Sequence, residues 1–286
     1  MQELHIDTPE GLSALCDRLR HSPWLALDTE FMREKTYYPQ LCLLQVSNGE
    51  VAASIDPLAI DDLRPFRDLL FEPQTVKVFH AGHQDLELFQ QLWQELPAPL
   101  FDTQPAAELA GLDNQMGYAR LVEALLDHQL DKGHTRTDWS RRPLQPEQLR
   151  YALDDVIYLG QVYLRLLDKL GDKCNDERLL ATFARMADPA TYITEPEDAW
   201  KRLKARKYLR GPPLTVLKKL AAWRESEAVK ADKPRGWILS NEALFELAKT
   251  RPRGMARLWK IPGLQPGVVK RRGQLLLQLI AEADPE

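Results

Sequence analysis

The stretch Trp24 to Phe31 reads WLALDTEF and constrains the fold more than any other part of the chain. It opens as an apolar run and then alternates, the pattern of a buried central strand. Its far end carries two carboxylates, Asp28 and Glu30. Side chains alternate across a strand, so residues i and i+2 point the same way. Two like charges held that close are costly without a cation between them.

Other segments supply the rest of a sheet. Leu41 to Ser47 and Val51 to Asp56 read as strands joined at Asn48-Gly49, a hairpin signal. Val76 to His80 reads as a fourth strand and Pro99 to Thr103 as a short fifth. Helical spacing follows over Gln84 to Trp93, Thr103 to Ala110, Tyr118 to Leu126 and Pro146 to Leu170. A hairpin set followed by alternating strands and helices predicts an α/β mixed sheet with helices packed on it. Gly171 to Pro196 reads as a helical connector. Helices are expected over Leu214 to Ala228, Asn241 to Ala248, capped by Ser240 or Asn241, and Val268 to Ala283. The tryptophans at 223, 237 and 259 are expected in the core of this last, all-helical module.

Length and charge fit two domains. The chain has 286 residues, 44% hydrophobic and 28% charged, which excludes global disorder. The net charge of −4 conceals an asymmetry: Lys201 to Glu286 holds 20 Lys and Arg against 8 Asp and Glu, a net of +12, and residues 1–199 carry −16. A basic part beside an acidic one points to a polyanion partner. No apolar run approaches the ~20 residues of a membrane span, and the first residues lack a secretory pattern. Cys16, Cys42 and Cys174 form no CxxC pair, which argues against disulfides and structural zinc. A cytoplasmic protein with free thiols is expected.

Two further acids stand out. Tyr151 and Asp155 are four apart in the Pro146 helix and share a face, whereas Asp154 is offset by about 100°. Asp85 stands where the strand VKVFH turns into the next helix, as a first-turn acid or as part of a site. His80 and His83 straddle that turn, which disfavours a zinc pair.

The order DxE, then Asp85, then YxxxD resembles that of the DEDDy 3′→5′ exonucleases of the ribonuclease-H-like fold. LALDTEF, TYYPQLCLLQVS, FHAGHQDLELF, FDTQ, TRTDWSRRPL and YALDDVIYL are similar to segments of the ribonuclease D family. The basic tail resembles the helical HRDC domain that this family shares with RecQ-type helicases. The resemblance implies an exonuclease domain over 1–170, a helical linker over 171–207 and an HRDC-like nucleic-acid-binding domain over 208–286. It implies that Asp28, Glu30, Asp85 and Asp155 hold two divalent ions, Mg2+ or Mn2+, clamping the scissile phosphate. Asp28 would bridge the ions, Glu30 and Asp155 would hold the one that activates water, and Asp85 would support the other. Tyr151 would orient the water. The implied reaction is hydrolysis of the 3′-terminal phosphodiester to a nucleoside 5′-monophosphate. The implied partner is RNA with a single-stranded 3′ end, such as a tRNA precursor, and a monomer is expected.

Phe31 could stack on the terminal base, and His80 could contact substrate near Asp85. Asp102-Thr103 reads as a helix N-cap. Arg136, Arg141 and Arg142 could meet phosphates. A DNA 3′→5′ exonuclease and a non-catalytic nucleic-acid-binding protein are the alternative readings. Fuller-length relatives often carry a second copy of the helical domain.

Overall fold

The computed structural model describes residues 1–131 and 137–284, in two compact units. The first unit, Met1–Met32 with Pro39–Tyr192, is built on six strands: β1 (Gln2–Ile6), β2 (Trp24–Met32), β3 (Gln40–Ser47), β4 (Val51–Ile55), β5 (Val76–Phe79) and β6 (Leu100–Asp102). Their order across the sheet is β1-β4-β3-β2-β5-β6. The hairpin strands are antiparallel, β2 with β3 and β3 with β4, and the remaining pairs are parallel. The helices are α1 (Pro9–Leu19), α2 (Arg64–Leu70), α3 (His83–Trp93), α4 (Thr103–Leu109), α5 (Tyr118–Leu126), α6 (Pro146–Leu170) and α7 (Glu177–Met186).

Strand parity divides the core in two. Leu25 and Leu27 join Leu44 and Val46 against α1, α2 and α3, through Leu12, Leu15, Phe66 and Phe89. Ala26 joins Val78 and Phe101 on the other face, against Leu121 of α5 and Val156, Leu159 and Val162 of α6. The same parity assigns Asp28 and Glu30 to the α6 side. Helix α6 comes very close to β2 because residue 160 is glycine. A Cβ there would lie 2.6 Å from Cη2 of Trp24 and 2.8 Å from Cζ3, shorter than any van der Waals contact.

Among the elements that went unread in the sequence are β1 and α1, as well as the short helices α2 (Arg64–Leu70), Arg235–Ile238 and Met255–Leu258. Strand β1 is an edge strand with four residues at least partly exposed, so it lacks a run of core residues. Helix α1 begins at Thr8, whose hydroxyl accepts from the Gly11 N–H, followed by Pro9. The connector expected over 171–196 contains α7, whose Leu179 and Phe183 complete the α6-side core. All three cysteines are free, and among the described residues no helix is long and apolar enough to cross a membrane.

The second unit, Ile193–Glu286 with the segment Arg33–Tyr38, is helical: α8 (Pro212–Ala231), α9 (Arg235–Ile238), α10 (Asn241–Thr250), α11 (Met255–Leu258) and α12 (Pro266–Ala283). Its core gathers Val216, Leu217 and Leu220 of α8 with Leu244, Leu247, Leu276 and Ile280. Ser240 caps α10 by accepting from the Ala243 N–H. The expectation that all three tryptophans fill this core is wrong. Trp223 is partly buried, but Trp237 is 60% and Trp259 47% exposed. Aliphatic side chains on α8, α10 and α12 already fill the core, which leaves these two indoles outside.

Gly160→Ala is expected to destabilise the protein by about 1–3 kcal/mol through overpacking against Trp24. At roughly 2–4 °C per kcal/mol for a domain of this size, a thermal melt would register the loss. An unchanged melting temperature would show that α6 can retreat from β2 freely.

Candidate active site

The carboxylates converge where α6 crosses the end of β2. One oxygen each from Asp28, Glu30 and Asp155 can be chosen so that all lie within 4.8 Å of one another. Parity brings the first two together, and the α6 periodicity adds Asp155 with Tyr151 one turn before it. These four residues line a cavity of about 420 Å³, together with Thr29, Phe31, His80, Gln84, Tyr118 and Trp139. The neighbouring Asp154 is turned to Arg150, which spans it and Glu3.

Asp85 stands apart from this trio. It is buried at the start of α3 and accepts a 2.5 Å hydrogen bond from the Thr29 hydroxyl. It remains close enough to raise the pKa of Asp28. The turn before it is held by Asp102. That carboxylate accepts from Ala81 N–H (3.0 Å), Gly82 N–H (2.8 Å) and Gln104 N–H (2.8 Å). Asp102 thus caps α4, as expected from the sequence, and also fixes Ala81 in a left-handed conformation at φ 52°.

Burial raises all four acids, and repulsion from other members of the cluster adds to it for Asp28 and Glu30. Asp28 is held well above the carboxylate range by burial, then by Asp155, Asp85 and Glu30. Burial, followed by Asp155 and Asp85, pushes Glu30 to about 8. Burial, followed by Asp154, takes Asp155 to about 7. Asp85 rises to about 6, again chiefly through burial. Tyr151 also rises, through burial and the charges of Asp155, Glu30 and Asp28. Its phenol is therefore protonated at neutral pH. The cluster offers hard oxygen donors in a confined space, the donor set that suits a hard divalent cation.

The remaining candidates sort clearly. Phe31 lines the cavity while packing against the α1–α3 side core. The pairing of β2 with β3 shifts between Glu30 and Phe31, a bulge that leaves Cys42 unpaired on β3. The Cys42 carbonyl accepts from Arg142 Nη2 at 2.7 Å. Arg142 also grips Asp56 through Nε (2.5 Å) and Nη2 (2.7 Å), and donates to Trp139 O. Arg142 is therefore committed to the bulge and the β4 end, not to phosphates. Arg141 is exposed, and Arg136 lies outside the described residues. His80 lines the cavity with Nδ1 2.9 Å from Thr103 Oγ1, and burial lowers its pKa to about 4, so the ring is neutral. His83 instead packs on Tyr192, ring centroids 4.8 Å apart.

Sequence reasoning missed Thr29, Tyr118 and Trp139. Thr29 was visible as a hydroxyl between two acids. Tyr118 opens α5, and its hydroxyl donates to the Asp155 carbonyl at 2.6 Å. Trp139 is buried, with its ring 6.3 Å from that of Tyr151. Neither contact has a local sequence signature.

This constellation on a mixed sheet defines a 3′→5′ exonuclease, and comparison with known proteins agrees. A family model described as 3'-5' exonuclease matches residues 4–171, and one described as HRDC domain matches 214–280. Ribonuclease D from Acidiphilium cryptum is 45% identical over 278 residues, which cover 96% of this chain and 71% of that relative. The crystal structure of Escherichia coli RNase D, described as an exoribonuclease involved in structured RNA processing, superposes with a TM-score of 0.91. It is 36% identical, and the match covers 100% of this chain and 76% of that one. The catalytic core of RRP6 from Trypanosoma brucei shares the fold, with a TM-score of 0.74 at 24% identity, covering 98% of this chain and 79% of that chain. The chain belongs to the ribonuclease D family and is a 3′→5′ exoribonuclease acting on RNA.

The raised carboxyl pKa values carry a sign. A carboxyl that holds its proton longer when folded contributes stability below about pH 4, the unfolded value, and loses it as pH rises through the folded value. In chelator, the melting temperature is expected to fall across the window set by Asp85 at about 6, Asp155 at about 7 and Glu30 at about 8. Glu30→Gln is expected to flatten that fall, and a divalent cation to reverse it by binding the folded state. A melting temperature in chelator that is flat from pH 5 to 8.5 would contradict the crowding.

Proposed function

We propose that the enzyme is metal dependent and releases nucleoside 5′-monophosphates from the 3′ ends of small structured RNAs with single-stranded tails, tRNA precursors among them. The convergence of Asp28, Glu30 and Asp155 in the Tyr151 cavity carries this reading. Asp28, Glu30, Asp85 and Asp155 are the residues that hold two divalent ions, Mg2+ or Mn2+. What such ions supply when bound is a lowered water pKa and neutralisation of charge gathering on the phosphate.

The protein's own part is to hold and orient. Asp28, within 4.8 Å of Glu30 and Asp155, would serve both ions. Glu30 and Asp155 would hold the ion that activates water, and Asp85, its carboxylate fixed by Thr29, would support the other. A phenol, with an ordinary pKa near 10, is a poor base at neutral pH, so the role assigned to Tyr151 is to orient the water by a hydrogen bond. Phe31 packs against the terminal base, and the neutral His80 ring contacts the same nucleotide. The assignment of 1–170 to catalysis, 171–207 to a linker and 208–286 to nucleic-acid binding completes the reading. The protein works as a cytoplasmic monomer.

Degradation of matched RNA and DNA oligonucleotides, with product analysis, tests this. Chelation is expected to abolish release of 5′-monophosphates from RNA, and Mg2+ or Mn2+ to restore it. Asp155→Asn should cost several orders of magnitude in turnover, as loss of an ion-holding charge implies, while Asp154→Asn stays near wild type. Full activity in Asp155→Asn would overturn the assignment, and equal activity on DNA would overturn the RNA preference.

Tyr151→Phe separates hydroxyl from ring. If the phenol orients water, single-turnover hydrolysis should slow by about 10²–10⁴, the range for a positioned hydrogen-bonding group, with RNA affinity little changed. A rate within about twofold of wild type would leave the chemistry to the carboxylates.

A further inference from the structure

The second unit holds a cavity of about 370 Å³ walled by three arginines, Arg202, Arg224 and Arg235, with Ser240 and Asn241 at the start of α10. Arg224 is 4% exposed. Its Nη1 donates to the Leu239 carbonyl (3.0 Å) and to Asn241 Oδ1 (2.8 Å), both neutral acceptors. Its Nε is enclosed and makes no hydrogen bond. A buried guanidinium without an anion is costly.

The nearest acid is already engaged. Glu225 accepts two hydrogen bonds from Arg235, each 2.6 Å, and one of 2.5 Å from the Tyr37 hydroxyl. It is 1% exposed and does not line the cavity. Among the described residues, the lining of the cavity thus has three guanidinium groups and no carboxylate. The N-terminus of α10, a helix of 10 residues, adds its partial positive charge. Glu242, in the first turn of α10, packs against the turn at Gly263. The ligand that this wall selects is an oxyanion, and guanidinium forks match phosphate geometry.

We propose that this cavity is a phosphate site that takes a backbone phosphodiester of the RNA substrate. The proposal rests on the reading that the basic unit holds RNA, and it identifies where one phosphate is gripped.

The test uses the full chain in chelator, so that RNA is bound but not cut. Fluorescence anisotropy with a labelled single-stranded RNA of about 20 nucleotides is read across salt concentrations. Arg202→Gln and Asn241→Asp are expected to weaken binding about tenfold, as for one lost charge-assisted contact. Each should also make the logarithmic salt slope shallower by about 0.7, one phosphate's worth for a single strand. Asn241→Asp separates binding from folding. It gives Arg224 a carboxylate partner, so its melting temperature should hold or rise while RNA affinity falls. A purely structural role for the cluster predicts unchanged RNA affinity, which would overturn the proposal.

A second arm measures the melting temperature with inorganic phosphate. If phosphate stabilises wild type and not the variants, while RNA binding ignores the substitutions, the cavity takes a free oxyanion and the RNA assignment falls. If neither RNA nor phosphate responds, there is no oxyanion site. Should the variants bind RNA as wild type does, with a salt-dependent affinity, the basic unit holds RNA elsewhere and only this proposal fails. Absence of salt-dependent RNA binding in wild type would instead remove the broader reading.

Discussion

Like charges forced together under a helix govern the exonuclease unit. Asp28, Glu30 and Asp155 approach within 4.8 Å, with Asp85 behind them; each is raised by burial, and Asp28 and Glu30 also by the other acids of the cluster. The protein meets this cost with rigid supports. The Asp102 carboxylate pins the turn that delivers Asp85, Thr29 holds its oxygen, and Tyr118 ties α5 to the Asp155 backbone. A strained cluster on mobile supports would relax apart. Here it is built on a central strand and a long helix.

The two units differ in charge. Residues 1–199 carry a net of −16, whereas Lys201 to Glu286 carries a net of +12. The tail's buried polar groups are less balanced than its aliphatic core. Arg224 spends its hydrogen bonds on neutral acceptors, whereas Glu225, its neighbour in sequence, is saturated by Arg235 and Tyr37.

Much of the architecture was legible because its signals are local and periodic. The parity of WLALDTEF foretold which side chains of β2 share a face, and Pro146 with Gly171 bracketed α6 to its observed limits. The mixed sheet followed from the hairpin signal at Asn48-Gly49. Edge strand β1 was not legible, since one buried residue in five makes no pattern. The site's acids could be read through their order along the chain. Its supports could not, because the contacts of Tyr118, Trp139 and Arg142 depend on tertiary placement. Arg142 illustrates the difficulty: a basic residue in a loop looks like a phosphate ligand until the bulge carbonyl of Cys42 and the Asp56 carboxylate are seen to claim it. Trp237 and Trp259 mislead in the opposite sense, as large apolar residues left at the surface.

The missing side chain at Gly160 acts as a gauge. With Trp24 only 2.6 Å from where a methyl carbon would be, the separation of α6 from β2 is set by direct contact. Asp155 lies little more than one turn from that point. The gap between the helix-borne acid and the strand-borne acids is thus fixed by the thickness of an indole ring against bare backbone. Oxygen donors at a fixed gap discriminate by ionic radius, since Mg2+ needs about 2.1 Å to each ligand and Ca2+ about 2.3–2.6 Å. A residue that touches neither ion nor nucleotide would then tune which cation the enzyme can use.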